Sequence, residues 1–213
     1  MKVSPAKENI LKKIRQALSY STPIPFPQSE GNNSVFQPSK QELEVEFAEQ
    51  FTKLKGKFIF CADMQELAAQ LDALVRHNDW KNVYCNEKKL QSFLRENNIA
   101  DVSQTTLNQS DAGITTCELL VARTGSIVLS ASQESGRTVS VYAPVHVCIA
   151  YSNQLVYDIK DGLQMLKEKY QSNLPSLITF ATGPSRTADI EKTLVVGVHG
   201  PKEVYVFLVD EQS

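Results

Sequence analysis

The sequence predicts an α/β domain: three-layer, Rossmann-like, built on a mainly parallel sheet, with a helical arm at its amino end. Three observations carry that prediction. Short apolar runs at 58–61 and 83–85 alternate with helix-period segments at 63–75 and 87–97, the pattern of strand–helix–strand crossovers. The chain turns strand-rich after Asp101. A first amphipathic helix is separated from this body by a stretch rich in Pro, Ser, Asn and Gly.

The arm, residues 1–38, opens with Ser4-Pro5 and Glu8, a helix start, and then repeats apolar residues at Ile10, Leu11, Ile14, Ala17 and Leu18. This stripe must be covered, either by folding back on the domain or by packing on a second subunit as a homo-oligomer. The body, residues 39–213, begins with Ser39 and Glu42 in capping-box spacing ahead of Leu43, Phe47 and Phe51. Gly56 closes that helix. Phe58 to Cys61 is a strand, and Asp63 with Glu66 opens a helix carrying Leu67, Leu71, Leu74 and Val75. Val83 to Cys85 is the next strand, followed by a helix from Glu87 to Asn97 with Leu90, Phe93 and Leu94 inward.

Further on, Ile114 to Ala122 is apolar, Arg123 to Ser126 reads as a turn and Ile127 to Ser130 as a strand. Val139 to Tyr142 and Val145 to Ala150 are strand-like on either side of Pro144, and Gln154 to Tyr157 continues the sheet. Asp158 caps a helix running to Tyr170, with Leu163, Leu166 and Tyr170 as its buried stripe. Leu177 to Ala181 and Val204 to Val209 are the last two strands, flanking the stretch from Thr182 to Pro201.

Composition narrows the function. The 213 residues suffice for one substantial core, and the apolar fraction of 42% and charged fraction of 22% are ordinary for a soluble protein. A net charge of −2 offers no basic excess for a phosphate backbone, so nucleic acid is not an expected partner. No apolar run approaches the ~18–20 residues of a membrane span, and the amino-terminal segment lacks the apolar core of a signal peptide. A cytoplasmic location is expected. Cys61, Cys85, Cys117 and Cys148 are far apart and show no CxxC or Cys/His spacing, so no metal site is expected.

The chemistry-bearing residues concentrate in Thr182–Pro201. Gly183 permits close backbone approach, Ser185 and Thr187 bring hydroxyls, and Arg186 brings a forked donor suited to carboxylate or phosphate. A helical turn beginning at Thr187–Asp189, at the carboxyl end of a strand, would complete an anion cradle. The alternative is a turn in which Arg186 pairs internally with Asp189 or Glu191. Those two acids point apart on a helix and make a poor catalytic dyad, although one could act alone. His199, in the tight turn Gly197-Val198-His199-Gly200-Pro201, is a candidate anion donor or general acid/base. Thr124, Gly125 and Ser126, together with Arg137 in a later loop, complete the candidate pocket for a small anion if these loops converge. The GPSR sequence matches neither the P-loop nor the dinucleotide glycine pattern.

Four ordered segments carry a resemblance: 124–129 (TGSIVL), 144–147 (PVHV), 183–191 (GPSRTADIE) and 197–201 (GVHGP). Together they resemble the lactate-utilization protein C family, which carries the LUD domain, over roughly Ser39 to Asp210. Arg123 departs from the acid that the family often has before Thr-Gly-Thr, and Ser126 from its second Thr. The resemblance implies a fold similar to the group of glucosamine-phosphate deaminase, ribose-phosphate isomerase, CoA transferases and the folate cyclo-ligase. It implies a subunit of an L-lactate-to-pyruvate oxidising complex, with iron–sulfur clusters in a partner subunit and no cofactor in this chain. The partners implied are iron–sulfur and oxidoreductase subunits. The competing reading is a stand-alone enzyme or sensor holding a small phosphorylated or CoA-linked ligand in the anion pocket.

Overall fold

A computed structural model describes residues 5–19, 39, 41–102, 105–190, 193–197 and 199–210. The chain divides into two units, Met1–Gln37 and Pro38–Ser213. The first contains helix α1, Pro5–Ser19, with Glu8 in its first turn.

In the second unit, five strands form a wholly parallel sheet. They are β1 (Lys57–Cys61), β2 (Val83–Tyr84), β3 (Ala112–Thr116), β6 (Val145–Tyr151) and β11 (Glu203–Val209). Their order across the sheet is β1, β11, β6, β3, β2. Helix α2 (Leu43–Lys53) precedes β1, α3 (Met64–His77) links β1 to β2, and α4 (Lys88–Glu96) links β2 to β3. The period-two alternation of β11 sorts its side chains onto two cores. Tyr205, Phe207 and Val209 join Leu67, Leu71 and Val75 of α3 and Leu90 and Leu94 of α4. Val204, Val206 and Leu208 face Phe47 and Phe51 of α2 on the other side. Those two rings are fully buried and stacked with centroids 5.3 Å apart.

The second face carries more than a helix. β4 (Leu119–Val121), β5 (Ser126–Ser130), β7 (Leu155–Val156) and β8 (Ile178–Ala181) make a separate mixed sheet in the order β7, β4, β5, β8. Leu120, Ile127 and Leu129 pack inward with α2, while Val121, Val128 and Val156 face outward onto Leu166 of α6 (Ile159–Tyr170). So these four strands do not extend the parallel sheet. They cover it, and α6 adds a further layer. Gln154–Tyr157 supplies β7 to this second sheet.

Two segments depart from expectation. Val139–Tyr142 is a short helix, α5, packed over Gly113, where an added Cβ would meet Val139 Cγ1 at 2.7 Å. The β-branched residues gave it a strand signature that tertiary packing overrides. Thr187–Asp189 does not begin a helix either. Arg186–Ile190 is strand β9, paired antiparallel with β10 (Thr193–Val196) in a two-stranded hairpin. Leu163 of α6 is 45% exposed, so the buried stripe there is Gly162 and Leu166.

Helix caps follow the local code. Asp63 accepts from the backbone N–H groups of Gln65 and Glu66 at 2.8 Å, and Asp158 accepts from that of Lys160 at 3.3 Å. Ser39 does not cap α2; its hydroxyl is hydrogen-bonded to Glu46 instead.

Candidate functional site

The turn Leu54-Lys55-Gly56 joins α2 to the start of β1, so the carboxyl end of α2 lies at the amino-terminal edge of the parallel sheet. Several of the sequence-selected residues gather on that turn. Gly125 adopts φ +59° and sits so close to α2 that a Cβ would meet Phe51 N at 2.6 Å. Gly183, at φ +77°, would meet Leu54 O at 2.8 Å. The guanidinium of Arg186 donates to the same Leu54 carbonyl. A cation over the last carbonyls of a helix is favoured by the dipole, and this carbonyl is Arg186's described partner. Behind it runs a row of hydroxyls: Thr124 to Ser126 at 2.8 Å, and Ser126 to Thr182 at 2.8 Å. Ser126 is buried.

Ser185 ties this cluster to the second glycine turn. Its backbone N–H donates to Pro201 O at 2.9 Å, and its carbonyl accepts from Gly197 N–H at 3.0 Å. A Cβ on Gly200 would touch Ser185 Cβ at 2.9 Å. The loop after β8 therefore reaches the amino edge of the parallel sheet, because β8 belongs to the second sheet. Arg137 lies apart and donates to the Ser176 hydroxyl. The backbones of Thr187 and Asp189 run in β9, and Glu191 lies outside the described residues.

At the same edge His199 is exposed and lines a cavity of about 400 Å³ with Tyr142, Pro144, Gly197, Gly200 and Lys202. The Lys202 N–H donates to Pro144 O at 2.8 Å, which locks the start of β11 against that of β6. This cavity offers an imidazole, an ammonium and a phenol, and its named side chains include no carboxylate. It suits a small anion better than the Arg186 turn does. Lys202 and Tyr142 escaped sequence reasoning. The adjacency of Lys202 to the glycine turn was the one available signal.

A second cleft, of about 590 Å³, opens at the carboxyl ends of the parallel strands, where α/β sheets commonly bind ligands. Its polar wall centres on Glu87, which follows β2 and is buried. One carboxylate oxygen accepts from Thr116 N–H at 2.9 Å and the other from the Thr116 hydroxyl at 2.6 Å. Glu134 accepts from Lys88 N–H at 2.7 Å and so caps α4 from another loop. Leu67, Leu90, Phe93 and Ile149 form the apolar wall. In sequence Glu87 reads as a helix-start acid. Its real partner is 29 residues away, which no local pattern shows.

Other buried groups are held by structure. His146 is fully buried, with Nε2 2.9 Å from Thr115 Oγ1 and Nδ1 without a partner among the described residues. Burial pushes its pKa down to about 4, so it is neutral at physiological pH. Arg123 pairs with Asp158 at 2.9 Å and holds that carboxyl below its usual range. The four cysteines are free and buried, Cys61 and Cys85 in one core and Cys117 and Cys148 in the other, on opposite faces of the parallel sheet. That arrangement cannot bring four thiolates onto one cluster. No described helix is long and apolar enough to cross a membrane.

Comparison with known proteins agrees with the fold. The crystal structure of a DUF162 family protein from Deinococcus radiodurans superposes with a TM-score of 0.57 at 18% identity, covering 81% of this chain and 99% of that one. Lactate utilization protein C of Anoxybacillus flavithermus is 29% identical over 193 residues, 83% of this chain and 86% of that protein. The Bacillus licheniformis protein of the same name is 37% identical over 105 residues, 48% of this chain and 44% of its own length. The LUD domain family model matches residues 85–209, which takes in Glu87 and Thr116, the Thr124–Ser126 turn and the His199 loop. With more than half its length inside that match, the chain belongs to the LUD domain family.

Proposed function

We propose that this chain serves lactate utilization as a subunit of an L-lactate-oxidising system, working beside partner proteins that carry iron–sulfur clusters and oxidoreductase activity. The observation that carries this reading is the match to lactate utilization protein C of Anoxybacillus flavithermus across most of both chains. Within the molecule, the amino-edge cavity is the place for a small carboxylate. His199 and Lys202 supply cationic or hydrogen-bond donors, and Tyr142 supplies a hydroxyl. Arg186 serves the α2 terminus instead. Titrating L-lactate and pyruvate into the protein by calorimetry tests this assignment. Lys202→Ala and His199→Ala are each expected to weaken binding about tenfold, roughly 1.4 kcal/mol. Equal binding by wild type and both variants would exclude the cavity.

A second reading rests on the carboxyl-edge cleft. Its position in the sheet, its apolar wall and its anchored Glu87 favour a larger ligand presenting hydrogen-bond donors, as a stand-alone enzyme or sensor would require. A ligand whose affinity falls in Glu87→Gln but not in Lys202→Ala would support this alternative over the first.

A further inference from the structure

Helix α2 and strand β1 leave an open groove on the second unit. It has a volume of about 760 Å³ and is lined by Glu42, Glu44, Val45, Glu49, Phe60 and Asp210. β1 is the outermost strand of the parallel sheet, and among the described residues no further strand covers this side. Val45 is 45% and Phe60 48% exposed, a costly display of apolar surface unless something covers it. Among the described residues, none of the four acids forms an ion pair. The groove therefore combines an apolar floor with a rim of one charge sign, and it fits a basic amphipathic helix.

The chain itself contains such a helix. α1, PAKENILKKIRQALS, shows Ile10, Leu11 and Ile14 exposed at 58%, 36% and 48%. Lys12, Lys13 and Arg15 are interleaved with them, against a single acid, Glu8. Residues 20 to 38, which follow it, span up to about 65 Å if extended, enough to reach a neighbouring molecule.

We propose that the groove between α2 and β1 receives α1 of a second copy of this chain, giving a reciprocal dimer held by exchanged arms. Ile10 and Ile14 bury against Val45 and Phe60, while the basic residues meet the acidic rim. No residue that lines this groove lines the His199 cavity or the Glu87 cleft, so the proposal does not depend on either ligand reading.

Sedimentation velocity on the full chain over a concentration series tests it, using two charge-reversed variants. One carries Lys12→Glu and Lys13→Glu; the other carries Glu44→Lys and Glu49→Lys. The wild type is expected to dimerise, less strongly at high salt, and each variant alone to dimerise at least tenfold more weakly. An equimolar mixture of the two variants restores the dimer, because the arm of each variant then meets a groove of opposite charge on the other. Ile10→Asp with Ile14→Asp, changes outside the second unit's core, abolishes it while the second unit stays folded by circular dichroism, and removes the concentration dependence of the melting temperature. A wild type monomeric at every concentration, as when the arm folds back or serves a different protein, would overturn the proposal. So would a dimer indifferent to both variants, or one that the mixture fails to restore.

Discussion

Gly125 has the least freedom of any residue in the Thr-Gly-Ser turn. Its positive φ costs an ordinary residue about 1–2 kcal/mol, and the backbone of Phe51 leaves no room for a Cβ. Gly136 has a similar φ of +65° and nothing within 4 Å. Urea denaturation should therefore find Gly125→Ala destabilised more than Gly136→Ala; equal losses would mean the contact with α2 is unimportant. His146 makes a prediction in pH. Its folded pKa of about 4 lies below the unfolded 6.5, so the unfolded chain binds a proton first as pH falls. Stability is then full above pH 6.5 and declines toward pH 4, by on the order of 3 kcal/mol for this group alone. Between pH 6.5 and 5, before carboxylates titrate, the decline should vanish in His146→Leu. Retention of the slope would assign it to another group.

At the scale of elements, the joint between α6 and the second sheet is held by a buried carboxylate. Glu118 precedes β4 and accepts from the hydroxyls of Ser130 at 2.5 Å and Tyr170 at 2.6 Å, and from Lys169 at 2.7 Å. Burial alone would raise its pKa; these three donors outweigh burial and hold it below the usual value. Glu118→Ala removes the acceptor that ties α6 to β5, a loss of roughly 3 kcal/mol by chemical denaturation. A loss below about 0.5 kcal/mol would show that the α6 contact stands without it. Elements of this kind were unevenly legible in the sequence. Asp63 and Asp158 announce α3 and α6 because a cap acts within one helical turn. The four residues of α5 carry a strand composition, and only their packing on Gly113 and the adjoining sheet makes them helical. The β9–β10 hairpin replaces the expected helical turn because its backbone bonds are satisfied across the hairpin, a choice Thr187–Asp189 alone does not encode.

At the scale of the molecule, short apolar runs alternating with helix-period segments indicated a sheet covered by helices, yet could not say that one cover is a second sheet. That depended on β5 choosing β4 and β8 as neighbours. The same choice moved the glycine–serine–arginine loop from the carboxyl edge, where sequence reasoning put it, to the amino edge beside α2. Residue type singled out Thr124–Ser126 and the glycine loops at 182–186 and 197–201 but left their convergence open; Arg137 lies elsewhere, and the cavity's Lys202 and the Glu87–Thr116 pair are long-range. The proposed role in lactate utilization is tested most directly by one reconstitution. The partner proteins are purified from the native host with and without this chain, and L-lactate-dependent electron transfer is measured. The account predicts that turnover is lost without the chain, is restored by adding it back, and is weakly restored by the Lys202→Ala form. Full lactate oxidation by the partners alone would contradict it.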